Sequence, residues 1–95
     1  VDEIELKILQ SSQNEFLNLW DSLTLNQKKT LKLILLTDGR EMFYANSLQA
    51  VDLNAGSQVT RSLEKLVGND IVLKNGNYKI QDVMFKKWIQ TFLLK

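Results

Sequence analysis

The sequence predicts a mainly α-helical fold carrying one small β-hairpin (α+β), a winged helix-turn-helix flanked by N- and C-terminal helices. Three observations predict it. Between Ser57 and Ile80, in SQVTRSLEKLVGNDIVLKNGNYKI, an amphipathic helix runs through a glycine into two short β-prone runs joined by Asn-Gly. Upstream lie a capped apolar helix and a shorter one, and downstream an aromatic amphipathic helix closes the domain. This architecture serves DNA readers and protein-docking modules alike, so function has to be argued from its surface.

Ile4, Ile8 and Leu9, then Phe16, Leu17, Trp20 and Leu23, mark one or two amphipathic helices with a break at Ser11-Ser12. Thr24 opens the next helix. Gln27, three residues on, completes a capping box in which each side chain serves an otherwise unpaired amide. Leu31, Ile34 and Leu35, with Leu36 at the edge, form the expected buried stripe, and Asp38-Gly39 stops the helix. Met42, Phe43 and Tyr44 read as a short strand able to pair with the later hairpin. Asn46 or Ser47 is the expected cap of a short helix through Leu48, Val51 and Leu53, after which Asn54-Ala55-Gly56 turns the chain.

In the following helix Ser57 is the expected N-cap, and Val59, Leu63, Leu66 and Val67 share one face. Gly68 is expected to end it in the left-handed conformation, which costs a residue without a Cβ nothing sterically. Asn75-Gly76 then fits a type I′ turn, with positive φ at both residues. Ile71, Leu73, Tyr78 and Ile80 are expected to pack on the helices, because so short a ribbon is not stable alone. Asp82 caps the last helix, whose stripe is Phe85, Trp88, Ile89 and Phe92.

The 95 residues, 44% of them hydrophobic, suffice for one small domain with a core. No apolar run approaches the roughly 20 residues of a membrane span, and no leader-like segment opens the chain. A cytoplasmic protein without membrane contact is the resulting expectation. The chain has neither cysteine nor histidine, which removes disulfides and leaves zinc ligation and Ser-His or Cys-His catalysis without their residues. Asp38 with Glu41, Asp52 with Glu64, and Ser57 or Ser62 with Lys65 offer no site with an orienting partner or oxyanion loop, so the expected function is non-catalytic. Charge is lopsided. Residues 1–23 carry Asp2, Glu3, Glu5, Glu15 and Asp21 against Lys7, while the remainder holds eleven basic and six acidic residues, a net +5 hidden within an overall +1.

Leu23-x-x-x-Gln27, the capped apolar helix, the Ser57 helix, LVGNDIVLKNGNYKI and DVMFKKWI together resemble the C-terminal winged-helix domain of archaeal-type P-loop ATPases, a branch related to the AAA+ and STAND groups. In that family the hairpin is typically followed by Tyr-x-Ile/Leu-x-Asp-Pro-x-Phe-x-x-Trp. Tyr78, Ile80, Asp82, Phe85 and Trp88 stand at the matching positions, and Val83 replaces the proline, which is favoured but not required in a first helical turn. The resemblance covers the chain from about Phe16 onward. It implies a parent that binds ATP and Mg through a separate N-terminal domain. This chain has no G-x-x-x-x-G-K-[ST] loop, so no cofactor is expected in it. The resemblance also implies that residues 1–23 are a helical segment ending the parent's lid or linker, with 24–95 the winged-helix domain and its C-terminal helix. The opening Val1 is read in the same way, as the start of a piece cut from a larger protein.

Two kinds of partner follow. For duplex DNA, Gln58, Arg61, Ser62 and Lys65 are the expected outward face of the recognition helix, with Arg61 suited to guanine, Gln58 to adenine and Lys65 to phosphate. Lys74, Asn75, Asn77 and Lys79 belong to the wing, and Lys28, Lys29 and Lys32 can add backbone contacts. The alternative is a regulatory module docking on its own N-terminal ATPase domain or another protein through Trp20, Phe85, Trp88 and Phe92. A homodimer through the terminal helices is a third arrangement the sequence leaves open.

Overall fold

The computed structural model describes residues 2–94 as six helices and a two-stranded ribbon around one core. The fold class is as expected. Helix α1 (Glu3–Ser11) starts at Asp2, whose carboxylate accepts the Glu5 amide proton at 2.7 Å. At Ser12 the backbone leaves helical geometry (φ −97°, ψ 7°), and α2 (Gln13–Asp21) follows. The break therefore falls at the serine pair. The apolar stripe of this segment is only partly buried: Leu9, Phe16, Trp20 and Leu23 enter the core, whereas Ile4 is 72% exposed and Ile8 and Leu17 also face outward.

Helix α3 (Leu25–Thr37) begins with the expected capping box, Thr24 N–H donating to Gln27 Oε1 at 2.9 Å and Gln27 N–H to Thr24 Oγ1 at 3.2 Å. It is the central helix and packs against α4, α5 and β2. Neighbours on several sides explain why Leu33 and Thr30 are fully buried along with Leu31 and Ile34, while Leu36 is exposed. The Thr30 hydroxyl is satisfied within the helix by the Asn26 carbonyl at 2.7 Å.

Residues 42–44 are not a strand. Glu41 has positive φ (51°) and its carbonyl accepts the Tyr44 amide proton at 3.3 Å, so the chain is turning where extended backbone was expected. The sheet of the described residues has two strands. Met42 instead drops into the core, and Tyr44, rather than Asn46 or Ser47, is the cap residue of α4 (Ala45–Ala50). Leu48, Val51 and Leu53 are buried as expected.

Helix α5 (Gly56–Gly68) starts before Ser57, with Ala55 as the cap residue. Gln58 supplies what a capping side chain would: its Oε1 accepts from the amides of Asn54 at 2.9 Å and Ala55 at 3.2 Å. Gly68 is still helical, and the left-handed residue is Asp70 (φ 59°). Ile71 N–H reaches the Leu66 carbonyl at 2.9 Å and Asp70 N–H that of Val67 at 3.1 Å, the paired bonds of a Schellman ending. Val59, Leu63 and Leu66 are buried and Val67 stays at the surface.

Strands β1 (Val72–Asn75) and β2 (Asn77–Ile80) pair antiparallel, Val72 opposite Ile80, Lys74 opposite Tyr78 and Asn75 opposite Asn77. The type I′ expectation fails here. Gly76 alone has positive φ (78°), and Asn75 belongs to the ladder. A two-residue Asn75-Gly76 turn would have set Leu73 opposite Tyr78. The observed register sets Val72 beside Ile80 on the core face and leaves Leu73 42% exposed, so burial of the Val-Ile pair prevailed over the preferred turn. Gly39 (φ 76°) brings the end of α3 onto this ribbon: a Cβ at that position would lie 1.9 Å from the Tyr78 carbonyl oxygen.

Helix α6 (Val83–Phe92) is capped by Asp82, whose carboxylate accepts from the amides of Met84 at 2.9 Å and Phe85 at 3.2 Å. Its aromatic stripe meets α2. Phe16 lies 5.5 Å from Phe85 and 5.9 Å from Trp88, ring centre to ring centre, and Trp88 Nε1 donates to Gln13 Oε1 at 2.9 Å. A Glu5–Lys87 ion pair joins α1 to the same helix.

Candidate nucleic-acid interface

The helix-turn-helix consists of α3, α4 and α5, with the ribbon as wing. On α5 the periodicity that buries Val59, Ser62, Leu63 and Leu66 turns Ser57, Thr60, Arg61, Glu64 and Lys65 to solvent. Ser62, expected on the outward face, is 5% exposed and belongs to the inner one. The spacing carried the signal, since Ser62 stands at i+3 from Val59 and i−4 from Leu66, but its polar side chain masked it. Gln58 is half-buried with its carbonyl oxygen committed to the start of α5, so it is not free to read adenine. Arg61 and Lys65 remain, one helical turn apart and exposed.

Pairing across the ribbon sorts the wing into two faces. Lys74 shares one face with Tyr78, its Nζ 5.5 Å from the ring centre. Asn75, Asn77 and Lys79 lie with Leu73 on the other face, so the structure does not bring all four wing candidates to α5. Between α5 and the inner face of the wing runs a groove of about 480 Å³, lined by Phe43, Thr60, Leu63, Glu64, Val67, Lys74 and Tyr78. Phe43, Thr60 and Tyr78 were absent from the sequence-based site. Thr60 was detectable, since it stands at i+3 from Ser57 on the polar side of α5.

Lys28 and Lys32 are elsewhere. They line a second groove, which shares no residue with the first, and their ammonium groups lie 5.8 and 5.9 Å from the Trp20 ring centre. Lys29 is held by Asp52, 3.5 Å from its carboxylate and 2.9 Å from its carbonyl oxygen. The aromatic interface candidates are largely consumed by folding. Phe85 and Trp88 are each 1% exposed, Trp20 is buried, and Phe92 is half-buried beside Trp88.

A family model described as a probable winged helix domain matches residues 14–91. The chain belongs to that family. Neither the curated proteins nor the solved structures compared with it gave a match. In this winged helix domain the family match begins within α2, whose Phe16 and Trp20 sit in the same core as α5 and α6. The residues that carried the resemblance to ATPase C-terminal domains have folding roles: Ile80 is core, Asp82 caps α6, and Phe85 and Trp88 form the aromatic cluster. No helix of the described residues is long and apolar enough to cross a membrane.

Proposed function

We propose that this winged helix domain binds duplex DNA through the outward stripe of α5, Ser57, Arg61 and Lys65, assisted by Lys74 and the turn of the wing. One observation carries the reading. The ion pairs among the described residues are Lys29–Asp52 and Lys87–Glu5, which leave Arg61 and Lys65 exposed on one helical face without a carboxylate partner. A recognition helix presents such a face to the major groove in helix-turn-helix proteins. With Ser62 inward and Gln58 committed, Arg61 is the one long donor of the original four suited to a base edge, so phosphate contacts dominate and sequence preference is slight. The motif resemblance supports placing the domain as the C-terminal part of an ATP-binding P-loop ATPase, which would deliver this face to DNA.

Fluorescence anisotropy with a labelled duplex tests the reading. Affinity should fall steeply with salt as counterions are released, and Arg61→Ala with Lys65→Ala should lower the log–log salt slope by about 2. No binding at low salt, or an unchanged slope, contradicts it. The apolar lining of the α5–wing groove favours a second reading, a regulatory module that docks on its parent ATPase or another protein. Under that reading Phe43→Ala and Val67→Ala reduce partner binding while duplex binding is absent from the outset.

A further inference from the structure

The second groove lies on α3, outside the face assigned to DNA, and combines exposed apolar surface with charge of one sign. Leu25, Lys28, Lys29, Lys32 and Leu36 recur at i, i+3, i+4, i+7 and i+11, which places them on one side of α3 over about 16 Å. Leu25 and Leu36, at its two ends, are 65% and 58% exposed. The floor is apolar, with Trp20, Val51 and Leu94, and the groove measures about 410 Å³. Its charge is of one sign. Lys29 is compensated by Asp52, but Lys28 and Lys32 have no carboxylate within ion-pair distance among the described residues, and no acidic residue lines the groove.

We infer that this groove is a docking site for an acidic amphipathic helix of a partner protein. No strand lines the groove, so an extended peptide would find no edge to pair with, whereas a helix satisfies its own backbone and needs only a seat for its apolar stripe. Lys28 and Lys32 stand one turn apart on the ridge of α3. They match carboxylates spaced i, i+4 on the incoming helix, and leucines flanking those carboxylates reach Leu25 and Leu36. The positions of both ammonium groups over Trp20 hold them at the groove before a partner arrives. Pairing through α3 with a second copy of this chain would set these lysines against one another, which disfavours it.

The test uses the whole chain and a labelled, acetylated and amidated peptide of about 16 residues, with leucines at i, i+4, i+7 and i+11 and glutamates flanking that stripe. Saturable binding is expected. It should weaken about tenfold or more in Lys28→Glu/Lys32→Glu and in Leu25→Ala/Leu36→Ala, and fall likewise when the glutamates of the peptide are replaced by lysine. Arg61→Ala/Lys65→Ala should change it less than about twofold, which separates this site from the DNA face. Lys28→Gln/Lys32→Gln, closer in size to the native side chains, should show the same direction of loss, and thermal melts establish that each variant folds. Absence of saturable binding up to about 1 mM peptide overturns the inference, as does equal binding by the charge-reversed variant. Binding of phosphatidylserine vesicles without binding of the peptide, or a concentration-dependent dimer that Lys28→Glu/Lys32→Glu abolishes, would assign the face to a membrane or to a second copy instead.

Discussion

Aspartate occupies the left-handed position at the ends of three helices, Asp38 (φ 54°) after α3, Asp52 (φ 60°) after α4 and Asp70 (φ 59°) after α5. Each has a Cβ in a region where glycine is at ease, and each carries negative charge near the negative end of a helix dipole. Asp70→Gly should therefore raise stability by about 0.5–1 kcal/mol, read from urea unfolding at unchanged m-value. Gly39 is the opposite case. Gly39→Ala must either move the ribbon or force a Cβ into the Tyr78 carbonyl at positive φ, and a loss of at least about 2 kcal/mol is expected in the same measurement. Asp38-Gly39 was legible as a stop because both residues tolerate the turn. Gly68 misled for a related reason: glycine is the favoured left-handed residue, but Leu66 and Ile71 fix where the closing hydrogen bond falls, and that puts Asp70 at the bend.

Periodicity made the buried side of α6 legible and that of α3 only in part. α6 shows its Phe85, Trp88 and Ile89 stripe and its Asp82 cap directly, whereas α3 is packed by α4, α5 and the ribbon and so hides Leu33 and Thr30. In the wing, Asn-Gly marked the reversal correctly while the register depended on which apolar residue the core would accept. That register has a direct consequence. Val72→Ala should cost about 2 kcal/mol, as expected for a side chain 1% exposed, and Leu73→Ala less than about 1 kcal/mol. Equal costs, or the reverse order, would contradict the pairing of Val72 with Ile80. On α5 the spacing was sufficient, because Ser62 falls on the side of Val59 and Leu66 and Thr60 on that of Ser57, and side-chain polarity alone suggested otherwise for Ser62.

Across the whole molecule, α1 and α2 are tied to α6 by the Glu5–Lys87 pair, the Gln13–Trp88 hydrogen bond and the Phe16 ring, so the acidic N-terminal segment sits on the aromatic helix. The basic excess of the remainder is spread over α3, α5, the ribbon and α6, with Lys28, Lys29 and Lys32 gathered at the α3 groove and Arg61 and Lys65 on the outward face of α5. The proposed DNA contact places the nucleic acid on the α5 stripe. The most direct measurement is a titration of the ¹⁵N-labelled chain with duplex DNA, followed by amide chemical shifts at low salt. Shifts concentrated on Ser57, Thr60, Arg61, Lys65 and the Lys74–Asn77 turn are the predicted result. A spectrum left unchanged, or shifts gathered on α1 and α6 with α5 silent, would contradict it.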